Sequence, residues 1–273
     1  MSEKEVIERT LLPVTVGSLL RDLGSLGLNE GDTVIVHSSL SRLGWVCGGA
    51  QAVVQALLRA VGPEGTLVMP AHSGNWSDPA GWANPPVPAA WVDTIYEEMP
   101  AFDPALTPTW GMGQIAETFR AFPGTLRSNH PQVSFCAQGK HAATIVAEHP
   151  LTPQFGESSP LGKLYEMDAK IALLGVGYDS CTTFHLAEAS LAGMPEKSMG
   201  AAIAEDGRRV WKRFEDYAYD SDDFEALGSA FESEGNVVRS GKVGEADCKL
   251  LRARDVVDYA RRWLSDNRRL TIE

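Results

Sequence analysis

The stretch Lys170–Ser190, KIALLGVGYDSCTTFHLAEAS, decides how the rest of the chain is read. Ile171 to Val176 is an apolar run broken only by Gly175. A strand covered on both faces loses the alternation of apolar and polar residues, so this run reads as a buried strand of a parallel sheet. Gly177 ends it, and Tyr178, Asp179 and Ser180 make a turn. From Thr182 the composition is helical, with Asp179 or a threonine placed to cap the helix start. His185 then falls in the first turn of a helix at the carboxyl end of a strand, where open α/β sheets place their chemistry. Glu188, three residues on, shares its helix face.

The positive end of a helix disfavours imidazolium, whereas a nearby carboxylate favours it; the two effects compete and leave a histidine open to tuning. The same two residues read equally well as a core histidine bonded to a carbonyl, with Glu188 on a solvated face.

The 273 residues can bury one large core or two small ones, and 44% apolar with 22% charged residues suits a soluble globular enzyme. No apolar run approaches the roughly 18 residues that a membrane span needs. The first residues, MSEKEVIERT, lack the apolar centre of a signal peptide. Cys47, Cys136, Cys181 and Cys248 are scattered without a CxxC pair, which fits a reduced, cytoplasmic setting. The net charge of −12 argues against nucleic acid; it reads either as acidity for solubility alone or as a surface that steers cations into a concave site. Six carboxylates stand between Glu215 and Glu225, namely Glu215, Asp216, Asp220, Asp222, Asp223 and Glu225. They read either as a solvated loop and helix start or as a docking wall for a polyamine.

Taken in order, Val16 to Leu23 reads as an amphipathic helix, and Thr33 to Val36 as a strand entering His37, Ser38, Ser39 and Leu40. Gly48 and Gly49 precede a helix over Ala50–Ala60, the general form of a turn whose free N–H groups hold an anion. No Walker or dinucleotide spacing is present. Thr66 to Met69 is a second buried strand, entering His72. The segment Gly74–Thr109 carries seven prolines and the tryptophans Trp76, Trp82 and Trp91, and reads as a long irregular loop that is either a lid or ligand wall or a segment its tryptophans pin to the core. A helix over Trp110–Phe119, a polar turn Arg127–Pro131, a strand over Val133–Ala137 and a helix over Gly139–Glu148 follow. Arg127 suits a phosphate or carboxylate clamp, and His130 before proline reads as structural. Asp206–Gly207 between Ala201–Glu205 and Arg208–Tyr217 signals a type I′ hairpin. Asp255–Leu264 closes the chain as an amphipathic helix.

Five segments in this order, VHSSLSRLG (Val36–Gly44), GPEGTLVMPAHSG (Gly62–Gly74), PTWGMG (Pro108–Gly113), RSNHP (Arg127–Pro131) and LLGVGYDSCTTFHLAE (Leu173–Glu188), resemble the aminoglycoside N3-acetyltransferase family. The resemblance covers nearly the whole chain. It implies one α/β domain over residues 1–273, a mixed central sheet sandwiched by helices, with the Pro/Trp-rich loop and an inserted hairpin near the acceptor site. It further implies acetyl transfer from acetyl-coenzyme A, as co-substrate and without a metal, to the 3-amino group of a 2-deoxystreptamine ring. In that reading His185 is the general base and Glu188 orients it, while His37, Ser38, Ser39, Leu40, Thr109 and Arg127 hold coenzyme A. Asp78, Glu215 and Asp216 bind the cationic aminoglycoside, and the protein is a monomer or homodimer. Rival readings are transfer to a different amine, a metal-dependent hydrolase gathering His37, His72, His130, His185 and Asp78, a cysteine acyltransferase using Cys181, and a non-catalytic binder of cations.

Overall fold

A computed structural model describes residues 2–268. Its first half contains α1 (Glu3–Arg9), α2 (Val16–Leu26), β1 (Thr33–Ser38), α3 (Gly49–Val61), β2 (Thr66–Pro70), α4 (Val92–Glu98), α5 (Gly113–Arg120), β3 (Leu126–Arg127) and β4 (Phe135–Gly139). The second contains α6 (Ala142–Val146), α7 (Pro160–Glu166), β5 (Lys170–Leu174), α8 (Phe184–Glu188), β6 (Glu196–Glu205), β7 (Arg208–Tyr217), α9 (Phe224–Ser233), β8 (Arg239–Val243), β9 (Ala246–Arg252) and α10 (Ala253–Asn267). Seven strands form one sheet in the order β3-β4-β2-β1-β5-β9-β8, and β6 with β7 forms a separate hairpin. The three central strands β2, β1 and β5 run parallel; β4 and β9 flank them antiparallel.

Alternation along the strands sorts the core into two layers. Val34, Val36, Leu67, Met69, Ala172 and Leu174 face one cluster with Leu19, Leu23, Val53, Leu57 and Phe119 of the helices α2, α3 and α5. Ile35, Val68, Ile171 and Leu173 face the other, with Leu161, Phe184, Phe224, Phe231 and Val257 of α7 to α10. The central strands are therefore apolar on both faces, which is why they were legible as continuous runs. Among the described residues, no helix is long and apolar enough to cross a membrane.

The hairpin is longer than the sequence reading drew it, pairing Glu196–Glu205 with Arg208–Tyr217. Asp206 (φ 51°) and Gly207 (φ 74°) supply the two left-handed residues a type I′ turn requires. The expected helix over Trp110–Phe119 starts only at Gly113, because Gly111 (φ 71°) and Gly113 (φ 79°) take conformations that interrupt it. Residue Gly139 belongs to β4, so the expected helix over Gly139–Glu148 shrinks to Ala142–Val146. The segment 74–109 is largely irregular but carries α4 and two 3-10 turns. It docks on the hairpin: Phe102 N–H donates to Ala202 O (2.8 Å), Arg209 Nε donates to Met99 O (3.0 Å), and Tyr96 packs on Trp211 with ring centroids 4.8 Å apart.

Candidate active site

The turn expected at Tyr178–Ser180 is a 3-10 turn, and the helix expected from Thr182 is the five-residue α8, whose N-cap Thr183 makes no side-chain capping bond. His185 still lies in the first turn of α8. Its Nδ1 and Glu188 Oε2 are 2.6 Å apart, with the histidine side chain 15% exposed and the carboxylate fully buried. A buried carboxylate needs partners for its remaining lone pairs. The second oxygen of Glu188 accepts the Asp220 main-chain N–H (2.8 Å) and Arg268 Nη1 (2.5 Å). Arg268 in turn holds Asp223 through Nε and Nη2, at 2.8 and 2.6 Å. Burial works against the charge of Arg268, but its bonds to Asp223 and Glu188 more than offset this and keep the guanidinium protonated.

With Nδ1 engaged by Glu188, the unengaged nitrogen of His185 is Nε2. The ring stacks on Phe155 (centroids 4.7 Å, planes 9° apart) and meets Tyr219 edge-on at 5.5 Å and Phe224 at 4.8 Å. These apolar neighbours fix its plane, and Phe155 was not singled out in the sequence because nothing local marks it. His185 lines a cavity of about 320 Å³ together with His37, His72, Met112, Asp179 and Ser221. Ser38, Gly111 and Met112 also line a second cavity, of about 610 Å³, formed by the Ser38–Ser41 turn, Trp45, Gly49 and Gly113–Ile115. Gly49 and Gly113 open α3 and α5, and neither helix has a side-chain N-cap bond. Two helix starts without side-chain caps thus border the larger cavity, a setting suited to anions, although the Gly49 N–H itself donates to Val46 O at 2.9 Å. A recess of about 720 Å³ around His149, Thr152, Leu186 and Ser190 shares no lining residue with either cavity.

The other expected site residues divide. Ser38, Ser39 and Leu40 line the larger cavity, although the Ser39 amide is not free: it donates to Leu174 O at 3.0 Å. His37 lies on the His185 side instead, because strand alternation puts it on the face of Ile35. Thr109 spends both donors on Glu117 Oε2 (2.9 and 2.7 Å) at the outer rim beside Gly113.

Arg127 is not at either cavity. Its guanidinium donates to Ser134 Oγ (2.8 Å), Thr107 O (2.5 Å), Pro104 O (3.4 Å), Ala71 O (2.7 Å) and Ser73 Oγ (2.8 Å), so it ties the long loop to the end of β2 and brackets His72. Burial lowers its pKa to about 10, still charged at neutral pH. A spatially saturated fork of this kind has no donor left for a ligand phosphate.

The acidic wall also comes apart. Asp216 is 2% exposed and accepts Thr152 Oγ1 (3.0 Å) and Gln154 N–H (3.2 Å), with burial raising its pKa. Glu215, next to it on β7, is exposed. Asp220 and Asp223 serve Arg268 and Glu188, and Glu225 accepts the Tyr178 N–H at 2.9 Å. Asp78 caps a 3-10 turn and binds Tyr96 Oη (2.6 Å) and Arg213 Nη1 (3.2 Å), which joins the loop to the hairpin. Asp179, exposed at the edge of the His185 cavity, is a carboxylate placed where a cationic ligand could meet it.

Cys181 is fully buried and its thiol is pushed up to about 12, which removes the thiolate a covalent acyl carrier needs. Among the described residues, no three His, Cys, Asp or Glu side chains are grouped as metal ligands. His130 is structural, its Nδ1 accepting the N–H groups of Gln132 (3.1 Å) and Val133 (3.0 Å).

The model of the aminoglycoside 3-N-acetyltransferase family matches residues 35–265. The chain belongs to this family and is an acyltransferase. It is 49% identical to the aminoglycoside N(3')-acetyltransferase-like protein YokD of Bacillus subtilis, over 97% of each chain. The crystal structure of the YokD protein superposes with a TM-score of 0.95, covering 97% of this chain and 98% of that one. Aminoglycoside N(3)-acetyltransferase VII of Streptomyces paromomycinus is 38% identical over 97% of this chain and 96% of its own. A solved binary complex of AAC-IIIb with CoASH is 31% identical, with a TM-score of 0.82 over 93% of this chain and 97% of that one.

Proposed function

We propose that this protein transfers the acetyl group of acetyl-coenzyme A directly to the 3-amino group of a 2-deoxystreptamine aminoglycoside, with His185 as general base. The observation that carries the reading is the His185–Glu188 pair at 2.6 Å, with Nε2 left for the cavity that meets the Ser38–Gly111–Met112 junction. Coenzyme A occupies the larger cavity, its pyrophosphate against the starts of α3 and α5 and its thioester at the junction. The acceptor enters the smaller cavity from the Asp179 side. An ammonium has no lone pair for attack, so the amine must lose protons around the attack, and an imidazole is suited to accept one near neutral pH. Glu188, itself fixed by Arg268 and Asp220, holds the imidazole in the tautomer that offers Nε2. Capture of the positive amine as a neutral amide would confer resistance on a cell carrying the enzyme.

Transfer is direct because the buried Cys181 thiol is held protonated, so no acyl-enzyme is expected. The test is a panel of 4,5- and 4,6-disubstituted aminoglycosides and apramycin, incubated with acetyl-coenzyme A and scored by mass spectrometry for a single added acetyl. Absence of acetylation across the panel, with thiol release on another amine, would move the acceptor to a different class. For Asp179, exposed at the cavity edge, Asp179→Asn is expected to raise the aminoglycoside KM by about tenfold and flatten its salt dependence, with kcat changed less than threefold. An unchanged KM and salt profile would return Asp179 to ordinary solvated surface.

A further inference from the structure

Each of the three parallel strands ends in a histidine at the same cavity: β2 leads to His72, β1 contains His37, and β5 leads through its turn to His185. His185 has a partner on Nδ1 and a role for Nε2. His37 has neither. It is 7% exposed, lines the cavity, and its Nε2, like that of His72, is buried with no hydrogen-bond partner among the described residues. A buried polar nitrogen left unpartnered in a cavity wall costs stability, so it signals a bond to something the folded chain does not itself supply.

On the reading of the site as an acetyltransferase, we propose that His37 is a catalytic hydrogen-bond donor, its imidazole N–H binding the thioester carbonyl oxygen as negative charge builds there. Position favours His37 over His72. β1 lies directly beside β5, about 4.8 Å away, whereas β2 is one strand further. His37 also immediately precedes Ser38, which lines both cavities and marks the junction where the thioester has to sit.

The step balances as follows. The amine lone pair forms the C–N bond and the carbonyl π pair moves onto oxygen, which accepts the His37 N–H without taking its proton. His185 Nε2 takes a proton from the attacking nitrogen. The oxygen pair then reforms the carbonyl, the C–S bond breaks, and the departing thiolate receives that proton from His185. Burial, which lowers the His37 pKa to about 4, keeps the ring neutral at pH 7, so it donates without competing with His185 as a base.

Two measurements test this. In the first, His37→Phe is expected to lower kcat by about 10²–10³-fold, with the Kd for coenzyme A within threefold of the parent and His37→Gln recovering most of the loss. Retention of kcat in His37→Phe, or equal losses in His37→Phe and His37→Gln, overturns the assignment. The second uses the unsubstituted protein with 15N-labelled histidine and so does not depend on a variant folding. Acetonyl-coenzyme A, which keeps the carbonyl but cannot be cleaved, is expected to shift one histidine N–H proton downfield. S-ethyl-coenzyme A, which lacks the carbonyl, is expected to leave it in place. The same response to both analogues overturns the proposal. Failure of the broader reading is distinguishable, since the parent protein would then release no thiol from acetyl-coenzyme A with any amine.

Discussion

His185→Ala is expected to lower kcat by about 10²–10⁴-fold, the range over which a positioned general base contributes, while coenzyme A still binds. The reason for separating the two effects is geometric. The ring lines the smaller cavity and is absent from the lining of the larger one, with which the smaller shares only Ser38, Gly111 and Met112. Its loss should leave those helix starts and glycines in place. The ring does carry some packing: it stacks on Phe155 at 4.7 Å and meets Phe224 at 4.8 Å, so a modest fall in Tm is also expected. Thiol release with an aminoglycoside in excess reports turnover, and calorimetric titration with coenzyme A reports binding. Turnover near the parent value at neutral pH would end the assignment of His185 as base. Loss of coenzyme A binding together with turnover would instead make the residue a part of the cofactor wall.

Acid is expected to unfold the protein abruptly below about pH 6, through histidines that take no part in proton transfer. Burial lowers the pKa of His37 to about 4, of His72 to about 3 and of His149 to about 4, and holds His130 well below its ordinary range. Hydrogen bonding agrees. His149 faces Ser128 Oγ and Gln154 O, both at 2.8 Å, and His130 accepts two backbone N–H groups that a protonated Nδ1 could not accept.

In the unfolded chain all four titrate near 6.5. Since the folded values are depressed, their contribution is fully present above 6.5 and is lost as the pH falls from there toward the folded values of 3 to 4. Each group then costs about 1.4 kcal/mol per pH unit, so the four together remove of order 5 kcal/mol per unit below pH 6. That is comparable to a whole domain stability of about 5–15 kcal/mol. Urea midpoints measured by circular dichroism should be flat from pH 8 to 7 and fall steeply between 6 and 5. Midpoints unchanged down to pH 5 would mean that these rings are solvated or already protonated in the native state.

How much of this was legible in sequence depends on which residues do the work locally. The strands Thr33–Ser38, Thr66–Pro70 and Lys170–Leu174 announced themselves because a centre strand with helices on both faces has no polar side to show. The turn Asp206–Gly207 was legible because left-handed backbone selects those residue types. By contrast, β8 was missed: four of its five residues, RSGK, are exposed, so it has little apolar pattern to read. The helix α9 was masked by the acidic run that precedes it, although Phe224, Leu227 and Phe231 are fully buried on its inner face.

The chain order alone determined that a histidine and a glutamate would share one face of a short helix after a buried strand, because a three-residue separation on a helix is a local fact. It also determined that two further histidines would follow the ends of buried strands. Only the tertiary structure decided what the carboxylates do. Glu188 is buried against Arg268, eighty residues away in sequence; Asp216 is sealed under Thr152 and Gln154; Asp78 is spent on Tyr96 and Arg213. It likewise turned Arg127 inward and gathered His37, His72 and His185 around one cavity. A charged side chain's role depends on which distant partners reach it and how much water remains, and neither is encoded within a turn or a strand of the residue itself.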